Sequence, residues 1–183
     1  MASSGQMTTS DVQALLQDGR LAGDWTLDAS RSTIGLRSKS MWGLAPVKGV
    51  FREAAGQGTV SEAGEVSGTI SVTAASIDTK MKKRDVHLRS KDFFDCDTFS
   101  RITFTVDRLT PSSEGVTVAG NLTVRDQTRP ISFPARVSVL GPDEVQLDAE
   151  VQVNRADFGL TWNQLGMASV ANTITVHAVF AKR

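Results

Sequence analysis

The feature that most constrains the fold of this 183-residue chain is an alternation of apolar and polar residues that begins at Trp25 and recurs to the C-terminus. In one segment Val66, Ile70 and Val72 share a face, and serines and threonines occupy the other. A period of two is typical of β-strands that bury one side. Counted from Ser32, the pattern predicts eight strands, near residues 34–39, 47–52, 66–74, 102–106, 116–124, 131–139, 145–153 and 174–180.

Short groups of turn-forming residues separate several of these segments, for example at 62–64, 111–115, 125–128 and 141–143. Connections this short join antiparallel neighbours. One-sided strands in sequential order can hide their apolar faces by closing, so we predict an all-β, eight-stranded antiparallel barrel. A two-layer sandwich is the alternative.

The side chains predicted to face inward include several small ones, such as Gly68, Gly120 and Ala149. Small inward residues leave room for a ligand cavity inside a barrel of this size. The alternative is that they lie opposite large residues such as Phe104 and Phe133 and equalise the packing.

The overall charge and the cysteine content exclude several classes of protein. Twenty basic and twenty acidic residues cancel, so any nucleic-acid or membrane binding would need a local patch. The one cysteine, Cys96, closes no intramolecular disulfide, which fits a reducing compartment. The N-terminus has no secretory-signal pattern, and no apolar run approaches the ~18 residues of a membrane span. We therefore expect a cytoplasmic protein without a membrane span or a nucleic-acid partner.

Residues 1–23 precede the alternating pattern and are predicted to form a disordered tail plus a short helix, followed by a barrel domain over 24–183. Ser10 is a candidate N-cap, and Gly19 a candidate end of the helix. A helix of about two turns is marginal alone, so its apolar residues are expected to dock on the barrel or on a partner subunit in a homodimer.

A densely charged segment, residues 76–104, interrupts the strands. It predicts a short helical crossover near 79–92, capped by Ser76, Asp78 or Thr79. Its basic residues are candidates for holding an anionic head group together with helix amides, and are Lys82, Lys83, Arg84 and Arg89. The alternative is a solvated face in which acids neutralise them, namely Asp78, Asp85, Asp92 and Asp95.

Conventional catalytic and metal-binding motifs do not occur in this sequence. An enzymatic alternative is that His87, assisted by Asp85, acts as a general base at the barrel mouth. A structural hydrogen-bonding role is more common for such a histidine. The other histidine, His177, falls on the polar face of the last strand. The sequence therefore predicts no metal and no cofactor.

The alternation also breaks at residues 154–170. Asn154 can cap a short helical turn that Gly159 ends, and Phe158, Leu160 and Trp162 add apolar surface. Such a segment is expected to be a lid over the barrel or a plug that seals it.

Several motifs in this order together resemble the YceI-like family of lipocalin-like, polyisoprenoid-binding proteins. They are Trp25-x-Leu27-Asp28, Val47-x-Gly49-x-Phe51, Ser76-Ile-Asp-Thr, Arg84-Asp-x-His-Leu-Arg-Ser, Asp92-Phe-Phe-Asp, Gly120-Asn-Leu-Thr-Val and Arg155-x-Asp157-Phe158-Gly159. The resemblance spans Trp25 to the C-terminus and implies a barrel with a long hydrophobic tunnel for an isoprenoid chain, such as a polyprenyl phosphate or a quinone tail.

One position departs from the family pattern. The family usually has a histidine between the first strand and the Val-x-Gly-x-Phe strand, where this chain has Ser40, with Trp42 close behind. If that histidine contacts the head group, the departure implies a different ligand preference.

These observations together predict non-enzymatic binding, storage or transport of a long apolar lipid inside the barrel. Parity along the strands predicts the lining residues Phe51, Ile70, Phe104, Leu122, Phe133 and Val151, with Trp42 and Trp162 near an entrance. The candidate head-group contacts are Lys82, Arg84, His87 and Arg89.

Overall fold

The computed structural model describes residues 9–40, 45–113, 115–161 and 171–183. Within these ranges the α-helices are α1 (Thr9–Gln17) and α2 (Lys82–Arg89). The strands are β1 (Gly23–Leu27), β2 (Thr33–Ser40), β3 (Ala45–Phe51), β4 (Ala54–Val60), β5 (Val66–Thr73), β6 (Ile77–Asp78), β7 (Arg101–Ser112), β8 (Gly115–Val124), β9 (Gln127–Gly141), β10 (Glu144–Asn154) and β11 (Ala171–Lys182).

These strands close into an eight-stranded antiparallel barrel in the order β1, β4, β5, β7, β8, β9, β10 and β11, with β11 pairing back onto β1. Three of the eight barrel strands are interrupted by a few irregular residues, and each is therefore divided into two strands. These pairs are β1 with β2, β3 with β4, and β5 with β6; the segments β2, β3 and β6 lie at the same end of the barrel. The predicted barrel is confirmed, and the sandwich alternative is wrong.

The cross-strand register aligns the apolar residues of neighbouring strands. Ile70 lies opposite Phe104, and Phe104 lies opposite Leu122 on the next strand. Directly opposed residues point to the same side of a sheet. Strand β11 closes the ring through two neighbours, because its first half pairs with β2 and its last residues pair with β1.

Strand β4 was missed by the sequence pattern. Its sequence alternates through Ala54, Gly56 and Gly58, which are too small to give an apolar signal. It pairs with β1 on one side and β5 on the other, with Gly58 directly opposite Gly68. The ring therefore closes through a strand with a nearly bare inner face.

Helix α1 covers the end of the barrel at which β1 begins, which we name the α1 end. Val12 and Leu16 are buried there and pack with Val116, Val118 and Ala135. Ser10 lies inside the helix, which spans Thr9–Gln17, so the prediction of Ser10 as its N-cap is wrong. Of the two predicted roles, this burial favours docking on the barrel over pairing with a second subunit.

Helix α2 crosses the opposite end, which we name the α2 end. The predicted caps are wrong, because the N-cap is Met81 and no side chain caps the helix. The predicted turn after β10 is confirmed: Asn154 accepts a hydrogen bond from the amide of Ala156, and Gly159 ends a 3₁₀ helix over Arg155–Phe158 in the left-handed region. Phe158 and Leu160 then pack into the core at this end, as a plug would.

No helix in the described ranges is both long and apolar enough to cross a bilayer.

Candidate functional site

A cavity of about 470 Å³ extends through the barrel interior. At the α1 end its wall includes Val12 and Leu16, and at the α2 end it includes Arg84 and His87. Its volume falls in the range of about 300–1,000 Å³ that is usual for ligand sites in proteins.

The wall between the two ends consists mainly of inward-facing strand residues. All six lining residues expected from parity lie on it: Phe51, Ile70, Phe104, Leu122, Phe133 and Val151. The rings of Phe104 and Phe133 contact each other with centroids 5.5 Å apart. Ligand contact by these residues stays a prediction, and Trp42 and Trp162 lie outside the described residues.

The small inward residues serve two different purposes. Gly58 and Gly68 line the cavity, and their bare backbone forms the wall where β4 meets β5. Gly120 instead makes room for its neighbours, because a Cβ there would overlap the Thr105 carbonyl oxygen and would also lie 2.8 Å from the Phe104 ring. Both interpretations of the small residues therefore apply, at different strands.

At the α2 end the wall of the cavity includes the polar residues Thr79, Arg84, His87, Arg155 and Asn172. Arg155 is only 8% exposed, and its guanidinium lies over the Phe93 ring at 5.8 Å. Its Nη1 donates to the Leu160 carbonyl at 2.9 Å. Burial lowers the pKa of Arg155, yet a guanidinium stays protonated at neutral pH.

The family model of the YceI-like domain matches residues 25–181. The chain belongs to the YceI-like family. A UPF0312 protein of Yersinia enterocolitica is 32% identical over 149 residues, 76% of this chain and 77% of the relative. A UPF0312 protein of Staphylococcus aureus is 30% identical over 149 residues, 77% of this chain and 84% of the relative.

Solved structures share this YceI-like fold. BcnA of Burkholderia cenocepacia superposes with a TM-score of 0.76 at 23% identity, over 84% of this chain and 98% of BcnA. A polyisoprenoid binding domain from Saccharophagus degradans, implicated in plant cell wall breakdown, gives 0.70 at 17% identity, over 87% and 98% of the two chains. At these identities the likeness establishes the fold. The matched family span begins after α1, so this helix lies outside it.

The candidate head-group residues of this YceI-like barrel separate into two groups. Arg84 and His87 lie on the cavity wall, whereas Lys82 and Arg89 are not part of it. Arg89 donates to the carbonyls of Ala75 and Ile77, at 2.8 and 3.1 Å, and so holds α2 against β6. Lys82 is exposed on the outer side of the helix.

The proposed catalytic pair of His87 and Asp85 is not supported by their hydrogen bonds. His87 Nε2 lies 2.9 Å from a carboxylate oxygen of Asp92, and the His87 ring packs edge-on against Phe93. The Asp85 carboxylate accepts from both the amide and the hydroxyl of Thr79. This geometry gives His87 a hydrogen-bonding role at the rim of the cavity.

The remaining candidates for chemistry lie away from the cavity. His177 faces outward as predicted and hydrogen-bonds Asp148, with 2.6 Å between Nδ1 and Oδ1. Cys96 is a half-buried free thiol, and burial raises its pKa, which disfavours the reactive thiolate. Among the described residues no cluster of His, Cys, Asp or Glu side chains is placed to hold a metal ion.

Sequence reasoning missed several residues of the cavity wall, including Arg155, Asn172, Phe93 and the α1 residues Val12 and Leu16. Arg155 was visible only as part of a motif, because a charged residue after a strand gives no sign of burial. Ser40, the departure from the family histidine, ends β2, and its side chain lies outside the described set.

Proposed function

We propose that this protein binds a long apolar lipid of the polyisoprenoid or isoprenoid-quinone type inside the barrel and stores or transports it without chemical change. The observation that carries the proposal is the continuous, largely apolar cavity between α1 and the polar rim below α2. The polyisoprenoid binding domain of S. degradans has the same fold and supports the same class of ligand.

The energetics favour a chain-like ligand. Each buried methylene contributes about 0.8 kcal/mol, so ten of them contribute about 8 kcal/mol before the costs of binding. Because the walls offer few hydrogen-bonding partners, length and branching of the chain decide the fit more than polar recognition does.

The polar groups favour one orientation of this ligand. Arg84 and Arg155 provide positive charge on the wall at the α2 end. Val12 and Leu16 offer only apolar surface at the α1 end. We therefore place the head group of the lipid near α2 and the end of its tail against α1.

Mass spectrometry of organic extracts from the purified protein tests the proposal. We expect an isoprenoid or quinone to copurify, and the stripped protein to take up a polyprenyl phosphate in preference to an unbranched fatty acid. A protein that is recovered empty and binds neither compound would disprove lipid binding.

A further inference from the structure

Helix α2 has an outer face that the proposed cavity does not use. Arg84, His87 and Leu88 line the cavity on its inner side, while Lys82, Lys83 and Val86 are exposed on the other. We name the exposed set Met81, Lys82, Lys83 and Val86 the outer α2 face. Val86 is 58% exposed and Met81 is 53% exposed, so this face carries apolar as well as basic side chains.

The charge around this face is strongly positive in a chain whose total charge is zero. Residues 80–91 contain six basic residues and one acidic residue, Asp85. That one carboxylate is buried and bonded to Thr79, and counting its charge still leaves the segment with a net charge of +5.

The neighbouring acids are also committed elsewhere. Asp78 binds Arg52 at 2.9 Å and Lys80 at 3.6 Å, and Asp92 binds His87. Within the described residues, neither Lys82 nor Lys83 forms an ion pair. The alternative of a face neutralised by Asp78, Asp85, Asp92 and Asp95 is therefore wrong for these two lysines.

We propose that the outer α2 face docks the α2 end of the barrel on an anionic lipid bilayer. Lysines that surround exposed apolar side chains suit the interface of such a bilayer, where charge attracts the head groups and apolar groups enter the acyl boundary. Val86 lies three and four positions after Lys83 and Lys82, so the three share one helix face. The purpose of docking rests on the proposed function, because it brings the polar end of the cavity to the surface that holds the lipid.

Sedimentation with lipid vesicles tests this surface. We expect binding to vesicles that contain phosphatidylglycerol, little binding to pure phosphatidylcholine, and weaker binding as salt rises, since the Debye length is about 8 Å at physiological ionic strength. Replacing both lysines (Lys82→Gln, Lys83→Gln) should weaken binding about 30-fold, equivalent to about 1 kcal/mol for each lysine near an anionic surface. Val86→Ser should weaken it further.

Two matched controls separate this surface from a general effect of charge or apolarity. The pair Arg108→Gln and Arg136→Gln removes the same charge from exposed positions on β7 and β9. The pair Val139→Ser and Leu140→Ser removes exposed apolar groups near the end of β9. Both controls should bind vesicles as the wild type does.

Loss of binding in the controls equal to that in the lysine variant would overturn the proposal, as would equal binding to neutral and anionic vesicles or no binding to either. Lysine-dependent binding to poly-glutamate with none to vesicles would assign the surface to an acidic protein instead. If anionic vesicles bind but no lipid ever enters the barrel, the docking surface stands and the proposed function fails. If lipid is found in the barrel but the protein binds no vesicles, the proposed function stands and the docking surface fails.

Discussion

One carboxylate oxygen of Asp85 accepts hydrogen bonds from both the backbone amide and the hydroxyl of Thr79, at 3.0 and 2.5 Å. Arg84 adds to this contact, since its Nε donates to the Thr79 hydroxyl oxygen at 2.8 Å. These bonds join the end of β6 to α2 and set how the helix lies over the cavity. Both Thr79 and Asp85 are buried, so bonds to a charged acceptor are stronger here than at the surface.

Replacing Asp85 with alanine should therefore destabilise the fold. The loss leaves the donors of Thr79 buried without this acceptor, and we expect the free energy of unfolding to fall by about 2–3 kcal/mol. Urea denaturation measures it. Asp92→Ala is the matched control, because Asp92 pairs with His87 at the surface and should cost at most about 1 kcal/mol. Equal losses in the two variants would show that Asp85 does not anchor the crossing.

Filling the cavity should abolish ligand uptake without unfolding the barrel. Val151 lines the cavity, and the next residue, Gln152, faces solvent on the same strand. Val151→Trp should lower the affinity for a polyprenyl phosphate at least tenfold, about 1.4 kcal/mol, because the indole occupies ligand space. Gln152→Trp adds the same side chain outside and should bind normally. Circular dichroism checks the fold, and unchanged affinity in a folded Val151→Trp protein would contradict the cavity as the binding site.

The docking of α1 depends on a close approach at Gly64. This residue has φ +87°, and a Cβ there would lie 2.8 Å from the Leu16 carbonyl oxygen. Gly64→Ala should cost about 1–2 kcal/mol for the left-handed backbone and, in addition, push α1 off the barrel end. Hydrogen exchange of the α1 amides should accelerate.

Gly159→Ala is the control for the backbone term, since Gly159 has φ +76° and its nearest contact is at 4.0 Å. It should cost similar backbone energy and leave α1 exchange unchanged. Slow α1 exchange in the Gly64 variant would mean that the helix tolerates the displacement.

The strands and their inward residues were predictable because alternation is a local property of the sequence. Strand β4 was not, since alternating Ala54, Gly56 and Gly58 carry no apolar contrast, and the ring closes through it only because β1 and β5 supply the partners. The turn at Asn154 was predictable from capping chemistry, which is also local.

The polar contacts at the α2 end were not predictable from the sequence. Asp85 was expected near His87 or in a salt-bridged face. It lies instead against Thr79, six residues earlier in the chain, and this contact depends on the path of the loop between them, which the sequence pattern does not predict. Arg155 is buried beside Phe93 by packing between distant segments. Which residues meet at this end of the barrel depends on tertiary structure, and a local pattern does not reveal it. The family motifs, which contain Asp85 and Arg155, therefore pointed to these residues better than the apolar-polar alternation did.

The stability of the fold should depend on pH through the Asp78 carboxylate, which lies just before α2. The Asp78 carboxylate accepts from the Lys80 amide at 2.9 Å and binds Arg52, and these interactions lower the pKa of Asp78 to about 2. Since the pKa is lower in the folded state than in the unfolded chain, Asp78 stabilises the fold above about pH 4 and loses this effect as the pH falls towards 2. Asp78→Asn should therefore be less stable than the wild type at neutral pH, and the difference should shrink on acidification.

Urea midpoints measured between neutral pH and the acid limit test this, with Glu62→Gln as the control for loss of one exposed carboxylate. A difference that stays constant over the whole range would show that the charge of Asp78 does not contribute.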